Sequence, residues 1–263
     1  MEIFQSVFIG LVQGITEFLP ISSSAHLVII PYIMNWPYQG LTFDVSLHLG
    51  TVLAILLFFW RDWISIIKNG LSKNTTQSDY PKNFLWQIVL ASIPAAIVGF
   101  LIQDKVEEYF HEPLLIAVNM AIFGLILFLV DKYSKNTLMI QEAGIGRTLI
   151  VGLAQCLALI PGVSRSGITI IASRGIGLNR ENAARFSFLL GTPAMVGAFV
   201  LKIKDVDPTT LDFTFWIGVL VSAISGYLAI KFLISFLQKS NFSLFVGYRM
   251  LFAIIVIFVY LLR

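Results

Sequence analysis

Charged residues cut this chain into a series of long apolar blocks. The first runs from Ile3 to Phe43, interrupted by Glu17 and His26 and broken at Pro20 and Pro31. Its two arms, about Ile3–Leu19 and Ser22–Ile33, each fall short of the roughly 20 residues that a helical crossing needs. A re-entrant hairpin over 3–33 fits that length. Three spans are expected next, at 42–60, 84–102 and 113–130. The block 148–173 is again short-armed, with Pro161-Gly162 at its centre and Arg165 just beyond. Spans at 186–201, 213–230 and 240–262 complete the pattern. A membrane β-barrel is a poor alternative, because its strands alternate and run only about 9–11 residues.

The order is a hairpin and three spans, twice, within one membrane domain covering 1–263. Repeat one takes in about 1–133 and repeat two about 146–263. Gly10-Leu11-Val12-Gln13 matches Gly152-Leu153-Ala154-Gln155. With a one-residue gap, Pro20 and Ser23 match Pro161 and Ser164, and Ser46-Leu47-His48-Leu49-Gly50-Thr51 matches Ser187-Phe188-Leu189-Leu190-Gly191-Thr192. Trp86 and Val89-Leu90 match Trp216 and Val219-Leu220. Three spans are an odd number, so the second repeat inserts upside down, and such repeats meet at broken helices near the midplane. The expected fold is an all-α polytopic membrane protein with six transmembrane helices and two re-entrant helical hairpins in two inverted repeats.

Composition narrows the class further. Hydrophobic residues make up 57% before the 19 glycines, and charged residues 13%, about half the usual quarter. Neither a soluble fold nor a disordered chain has that balance. Cys156 stands alone, so no disulfide framework exists. The net charge of +3 is small and unclustered, so no nucleic-acid partner is expected. The N-terminus lacks a basic region and is not read as a cleaved signal peptide. Arg61, Lys68, Lys73, Lys82, Lys132, Lys135, Arg147, Arg174, Arg180, Arg185, Lys231 and Lys239 fall in loops on one side. Lys105, Lys202, Lys204 and Arg263 fall on the other, where Asp104–Glu112 reads as a solvated outer loop. That bias puts both termini outside the cytoplasm. The first hairpin then dips in from outside and the second from the cytoplasmic side.

Ionisable groups inside apolar blocks are costly and mark functional sites. Here they are Glu17, His26, His48, Arg165 and Arg249, with Asp44 near a boundary. Gln13 and Glu17 lie four apart and share a helix face. Pro20 ends that helix, and Ser22, Ser23 and Ser24 are N-cap residues for the next. Its free N–H groups would then point into the break as an anion site. Ser23 and His26, three apart, share a face. A hydroxyl, an imidazole and a carboxylate thus converge around one turn as nucleophile, base and orienting or metal-binding group. A capped helix with a buried Glu–His pair accounts for these residues equally well.

At the second break, Gly162 lets backbone approach a ligand closely, and Ser164, Ser166 and Thr169 supply hydroxyl donors. Arg165 offers a planar fork suited to two phosphate oxygens. Its partner is Glu17 across the repeat interface or a phosphate, and hydroxyl-rich helix ends favour the phosphate. His48 reads as a structural hydrogen-bonder, since Leu189 is its repeat equivalent. Arg249, beside Tyr248, pairs within the bundle or with a lipid headgroup. Cys156 reads as packing. A phosphate site at a membrane break suggests a lipid-phosphate substrate. Gln13 and Glu17, with the substrate's own phosphates, could hold Mg²⁺ or Ca²⁺.

These motifs resemble those of the undecaprenyl-pyrophosphate phosphatase family, also known for bacitracin resistance. Its first signature is a Glu or Gln, three residues and a Glu, then Phe-x-Pro-x-Ser-Ser-x-x-His, and stands here as Gln13 to His26. Its second, Pro-Gly-x-Ser-Arg-Ser-x-x-Thr, stands as Pro161 to Thr169. The resemblance covers nearly the whole chain. It implies removal of the terminal phosphate from undecaprenyl diphosphate, recycling the lipid carrier for peptidoglycan, with divalent-cation dependence. It also implies a multi-pass location in the bacterial plasma (inner) membrane. The expected catalytic residues are Glu17, Ser23, His26 and Arg165, with Ser23 or His26 as nucleophile. Ser22, Gly162, Ser164, Ser166 and Thr169 are the expected substrate contacts, and Glu17 and Gln13 the cation ligands. Gln13 replaces the Glu of other members, which leaves Glu17 as the main carboxylate. The expected partners are the polyprenyl diphosphate lipid and the bilayer, and a homodimer is left open. The competing reading is a polyprenyl-phosphate transporter or flippase on the same scaffold. The membrane phosphatase type related to phosphatidic-acid phosphatases is excluded, because Ile171 stands where its catalytic His is required.

Overall fold

The computed structural model describes residues 3–37, 41–72, 80–109, 112–206 and 211–263. Lys73, and the side chains of the acidic stretch up to residue 111, lie outside the described part. The helices are α1 (Ile3–Phe18), α2 (Ser23–Met34), α3 (Leu41–Phe58), α4 (Trp60–Leu71), α5 (Phe84–Tyr109), α6 (Pro113–Tyr133), α7 (Gly144–Gln155), α8 (Arg165–Gly175), α9 (Arg180–Ile203), α10 (Phe213–Leu237) and α11 (Ser243–Leu262). Among the described residues, five helices are long and apolar enough to cross a membrane, and six if the bent pair α3–α4 is one span. The all-helical, multi-pass architecture expected from the blocks is what folds.

Several boundaries differ from those read between charges. The span 42–60 does not end the helical run. It bends by 68° at Phe59 and continues as α4, whose Arg61, Asp62 and Lys68 made it look like loop. Phe59 is fully buried against Phe188. Helix α9 starts at Arg180 rather than 186, because Asn179 caps it by accepting from Asn182 N. Helix α5 runs on to Tyr109, so most of the acidic stretch is helix, not loop. Arg174, Arg180, Arg185 and Lys231, all counted as loop residues, sit in helices. Charge marks where the bilayer ends, whereas caps mark where helices end.

Both hairpins break in the same way. Pro20 follows α1, and Ser22 caps α2 with φ 72° while its hydroxyl accepts from Ala25 N. Pro161 follows α7 and its 3₁₀ extension Cys156–Leu159, and Ser164 caps α8 with φ 76° while accepting from Gly167 N. The cap geometry therefore pairs Ser22, not Ser23, with Ser164, and so places Ser23 opposite Arg165. The tighter 3₁₀ turn and the extra Gly162 shift the register by one around the proline.

Helix partners exchange between the halves. Helix α1 packs on α10 and α7 on α5; α3 packs on α10 and α9 on α5; α3 also meets α9, and α6 meets α11. Ser6 donates to Thr214 O at 2.8 Å, and Thr148 donates to Gln87 Oε1 at 3.2 Å. On one face, Asp62 accepts from Tyr80 and Arg185, linking α4 to α9. Burial, then the bond to Asp62, pushes the Tyr80 phenol up. Asp131 accepts from Arg174 Nε at 3.0 Å and Arg180 Nε at 2.8 Å, tying the end of α6 to α8 and α9.

Arg249 on α11 is fully buried and not at the lipid surface. Its Nε donates to Met120 O, Nη1 to Pro20 O and Val163 O, and Nη2 to Gly162 O and Asn119 O, at 2.8–3.4 Å. One side chain thus joins both hairpin breaks to α6. Arg249→Ala should lower stability by about 3 kcal/mol or more, because several buried carbonyls lose their donor at about 1–3 kcal/mol each. Arg249→Lys, with three donors instead of five, should recover only part. Thermal unfolding of detergent-purified variants would measure both.

Candidate active site

Glu17 lies in the last turn of α1 and joins the two breaks. Its Oε1 accepts from Arg165 Nη2 at 3.2 Å. Its Oε2 accepts from the Ser23 hydroxyl at 2.6 Å and from Gln13 Nε2 at 3.2 Å. The Ser23 bond has the short length of a charge-assisted O–H···O⁻ contact. Glu17 and Arg165 side chains are only 11% and 13% exposed. Of the two partners read for Arg165, the Glu17 carboxylate is in contact with it across the two hairpins.

Three donor and acceptor atoms here are left over. Arg165 Nε and Nη1 are buried without a hydrogen-bond partner, and so is Gln13 Oε1. Turning the Gln13 amide round would face its oxygen against the Glu17 carboxylate, so the free atom is the oxygen. A buried polar atom without a partner costs about 1–3 kcal/mol. Two unmet donors on a cation and one unmet acceptor beside a carboxylate suit an anion and a hard cation respectively. Among the described residues, no group of three His, Cys, Asp or Glu gathers as a metal cluster. Gln155, at the place matching Gln13, also has both amide atoms unpartnered.

His26 does not join the Glu17–Ser23–Arg165 network. Ser22 O can only accept, so His26 Nδ1, at 2.7 Å, carries the proton. In the neutral ring Nε2 then accepts from the Tyr248 hydroxyl at 2.6 Å. The ring packs against Tyr248 and Phe252, with centroids 5.6 and 4.4 Å away. Helical spacing puts Ser23 and His26 on one face, but the side chains turn to different partners.

The remaining predicted contacts fix the breaks. The Ser22 and Ser164 hydroxyls cap their helices, and each also meets the serine two residues on at 3.2 Å. Ser166 donates to Leu19 O at 3.1 Å, bridging the hairpins. Thr169 bonds Arg165 O at 2.8 Å and the Ser187 hydroxyl at 2.6 Å. Gly162, at φ 90°, brings backbone close to Ile116 and Asn119 of α6, where a Cβ would lie 2.5 Å from Ile116 O. Asn119 Nδ2 in turn donates to Pro161 O at 3.0 Å.

The sequence reading set His48 aside as structural and missed three other neighbours. His48 is close enough to Glu17 for their charges to interact, with Asp44 one turn away; the four-residue Asp44–His48 spacing was the available signal. Tyr248 holds His26. Met195 Sδ lies 3.1 Å from Arg165 Nη2. Gly191, in the block that matched Ser46–Thr51, lies against the Arg165 guanidinium. An open groove of about 570 Å³, lined by Leu129, Tyr133, Lys135 and Gly177 among others, includes none of these residues.

Comparison with known proteins agrees with the resemblance of the two motifs. The model of the bacitracin resistance protein BacA family matches residues 6–255. The chain is similar to an undecaprenyl-diphosphatase of Moorella thermoacetica, 44% identical over 263 residues that span all of both chains. A relative of the same description from Elusimicrobium minutum is 46% identical over the same full span. One from Pelotomaculum thermopropionicum is 44% identical over 257 residues, 98% of this chain and 96% of its own. With a match over nearly its whole length, carrying both break motifs, the chain belongs to the bacitracin resistance protein BacA family.

Proposed function

We propose that this membrane protein removes the terminal phosphate of undecaprenyl diphosphate, releasing undecaprenyl phosphate and inorganic phosphate. It thereby recycles the carrier for peptidoglycan synthesis and confers resistance to bacitracin. One observation carries the reading. Glu17 gathers the Ser23 hydroxyl and the Arg165 guanidinium, two of whose nitrogens are buried without a protein partner. Relatives similar over the full chain and described as undecaprenyl-diphosphatases support it.

Phosphoryl transfer needs positioning and charge neutralisation above all. Arg165 binds the terminal phosphate through its unmet donors. Glu17 takes the proton of Ser23 as Oγ attacks phosphorus. A bond forms from Oγ to phosphorus, the bond to the bridging oxygen breaks, and undecaprenyl phosphate leaves. Water then cleaves the phosphoserine, releasing phosphate and returning the proton to Ser23. The 2.6 Å Ser23–Glu17 bond favours Ser23 over His26, whose Nε2 is engaged by Tyr248. Gln13 Oε1 and Glu17 would hold a Mg²⁺ or Ca²⁺ through oxygen ligands. Such a cation would supply further neutralisation of the diphosphate.

The exchange of helix partners between halves supports an inverted duplication. The Lys and Arg count favours both termini outside the cytoplasm, and thiol labelling of single cysteines placed in the loops tests that orientation.

Detergent-purified protein should release phosphate from undecaprenyl diphosphate. Chelation should abolish the release, and Mg²⁺ or Ca²⁺ should restore it. Arg165→Ala should lower kcat/KM by about 10³-fold or more, as for other phosphate-clamping arginines. Glu17→Ala should lower it by about 10²–10⁴-fold, the range for a lost general base. No release from folded, lipid-supplemented protein would turn the reading towards a carrier of polyprenyl phosphate.

A further inference from the structure

Helix α9 carries Ser187, Gly191 and Met195 at four-residue spacing, so they line one face. Each meets the second break. The Ser187 hydroxyl bonds Thr169 Oγ1 at 2.6 Å and reaches Ser166 O at 3.5 Å. The Met195 sulfur accepts from Arg165 Nη2 at 3.1 Å. Between them, a Cβ added at Gly191 would lie 1.8 Å from Arg165 Nη1 and 2.7 Å from its Cζ. The guanidinium therefore rests on bare backbone.

A glycine inside a helix costs about 1 kcal/mol relative to alanine. At Gly50, the matching position in the first half, the neighbours are the Ser222 hydroxyl and the backbone of α10, with Val219 O 2.5 Å from an added Cβ. That glycine serves helix packing, and a side chain there would push two helices apart. At Gly191 the first atoms met all belong to Arg165. The far end of a flexible side chain can move, so α9 would keep its place and the guanidinium would not.

We propose that the Ser187–Gly191–Met195 face of α9 is the positioning surface for Arg165, with Gly191 as its deciding residue. The face holds the guanidinium so that Nη2 meets Glu17 while the other nitrogens stay free for phosphate. This rests on the phosphatase reading above. Gly191 acts through Arg165 and touches no substrate.

The test is a double-variant cycle on the full-length purified chain, reading phosphate release from undecaprenyl diphosphate and thermal unfolding together. Gly191→Ala should unfold at or above the wild-type temperature, because alanine is the better helix former. Its kcat/KM should fall by about 10–100-fold, the scale for a reacting group displaced by about 1 Å. In an Arg165→Lys background, whose shorter head leaves the crowded space empty, Gly191→Ala should cause no further loss. Gly50→Ala should instead lower the unfolding temperature. A wild-type rate for Gly191→Ala would overturn the proposal, and so would a loss that adds in full to that of Arg165→Lys or follows a lowered unfolding temperature. Absence of phosphate release by the wild-type protein would overturn the phosphatase reading, and this proposal with it.

Discussion

Two helical hairpins that break inside an apolar bundle leave backbone carbonyls to be met at their tips, and Arg249 supplies the donors. In hydrocarbon each unmet backbone group costs several kcal/mol, and no water is available to help. Arginine is the side chain with five donors in a fixed plane. Its five bonds reach the carbonyls of Pro20, Gly162, Val163, Asn119 and Met120. Because the same guanidinium holds both breaks, it also sets the distance between Glu17, just before the first, and Arg165, just after the second. Glu17 and Arg165 thus stand on a frame held by a separate buried charge.

The frame also fixes which residues face the gap. Ser22 and Ser164 adopt positive φ, a region that non-glycine residues enter at a cost, typically at functional sites. Each uses its hydroxyl to cap its own helix, so the first helical residue, Ser23 or Arg165, is left to reach across. Both reach Glu17. Arg165 pairs with Glu17 through Nη2, which leaves its Nε and Nη1 without a protein partner. The other oxygen of the same carboxylate accepts from the Ser23 hydroxyl, 2.6 Å between oxygens. One carboxylate thus joins the hydroxyl of the first break to the guanidinium of the second.

Much of this was legible in the sequence because membranes make ionisable residues rare. Glu17, His26, Arg165 and Arg249 stood out against apolar surroundings, and Pro20 and Pro161 marked the breaks. Helix ends were less legible. Arg180 and Asp62 lie inside helical segments that charge alone assigned to loops, since a helix does not stop where the bilayer does. The partner of His26 could not be read from spacing. Tyr248 lies far away in the chain, and only the packing of α2 beside α11 brings the rings together. Gly191 was visible as a repeat match but not as a seat for Arg165, because glycine carries no chemistry of its own.

The two halves place similar backbone around different side chains, and the site follows from that difference. Ser23 stands opposite Arg165 once the caps are aligned. At the matching positions of the second half, Leu159 replaces Glu17 and Leu189 replaces His48. An arginine at 23 would displace the hydroxyl that Glu17 now accepts from. The first half therefore brings a carboxylate and a hydroxyl, and the second brings a guanidinium seated on α9. Two copies of the first half would hold two carboxylates without a guanidinium, and two of the second would hold two guanidiniums without a carboxylate. Only the two different halves set all three groups around one pair of breaks.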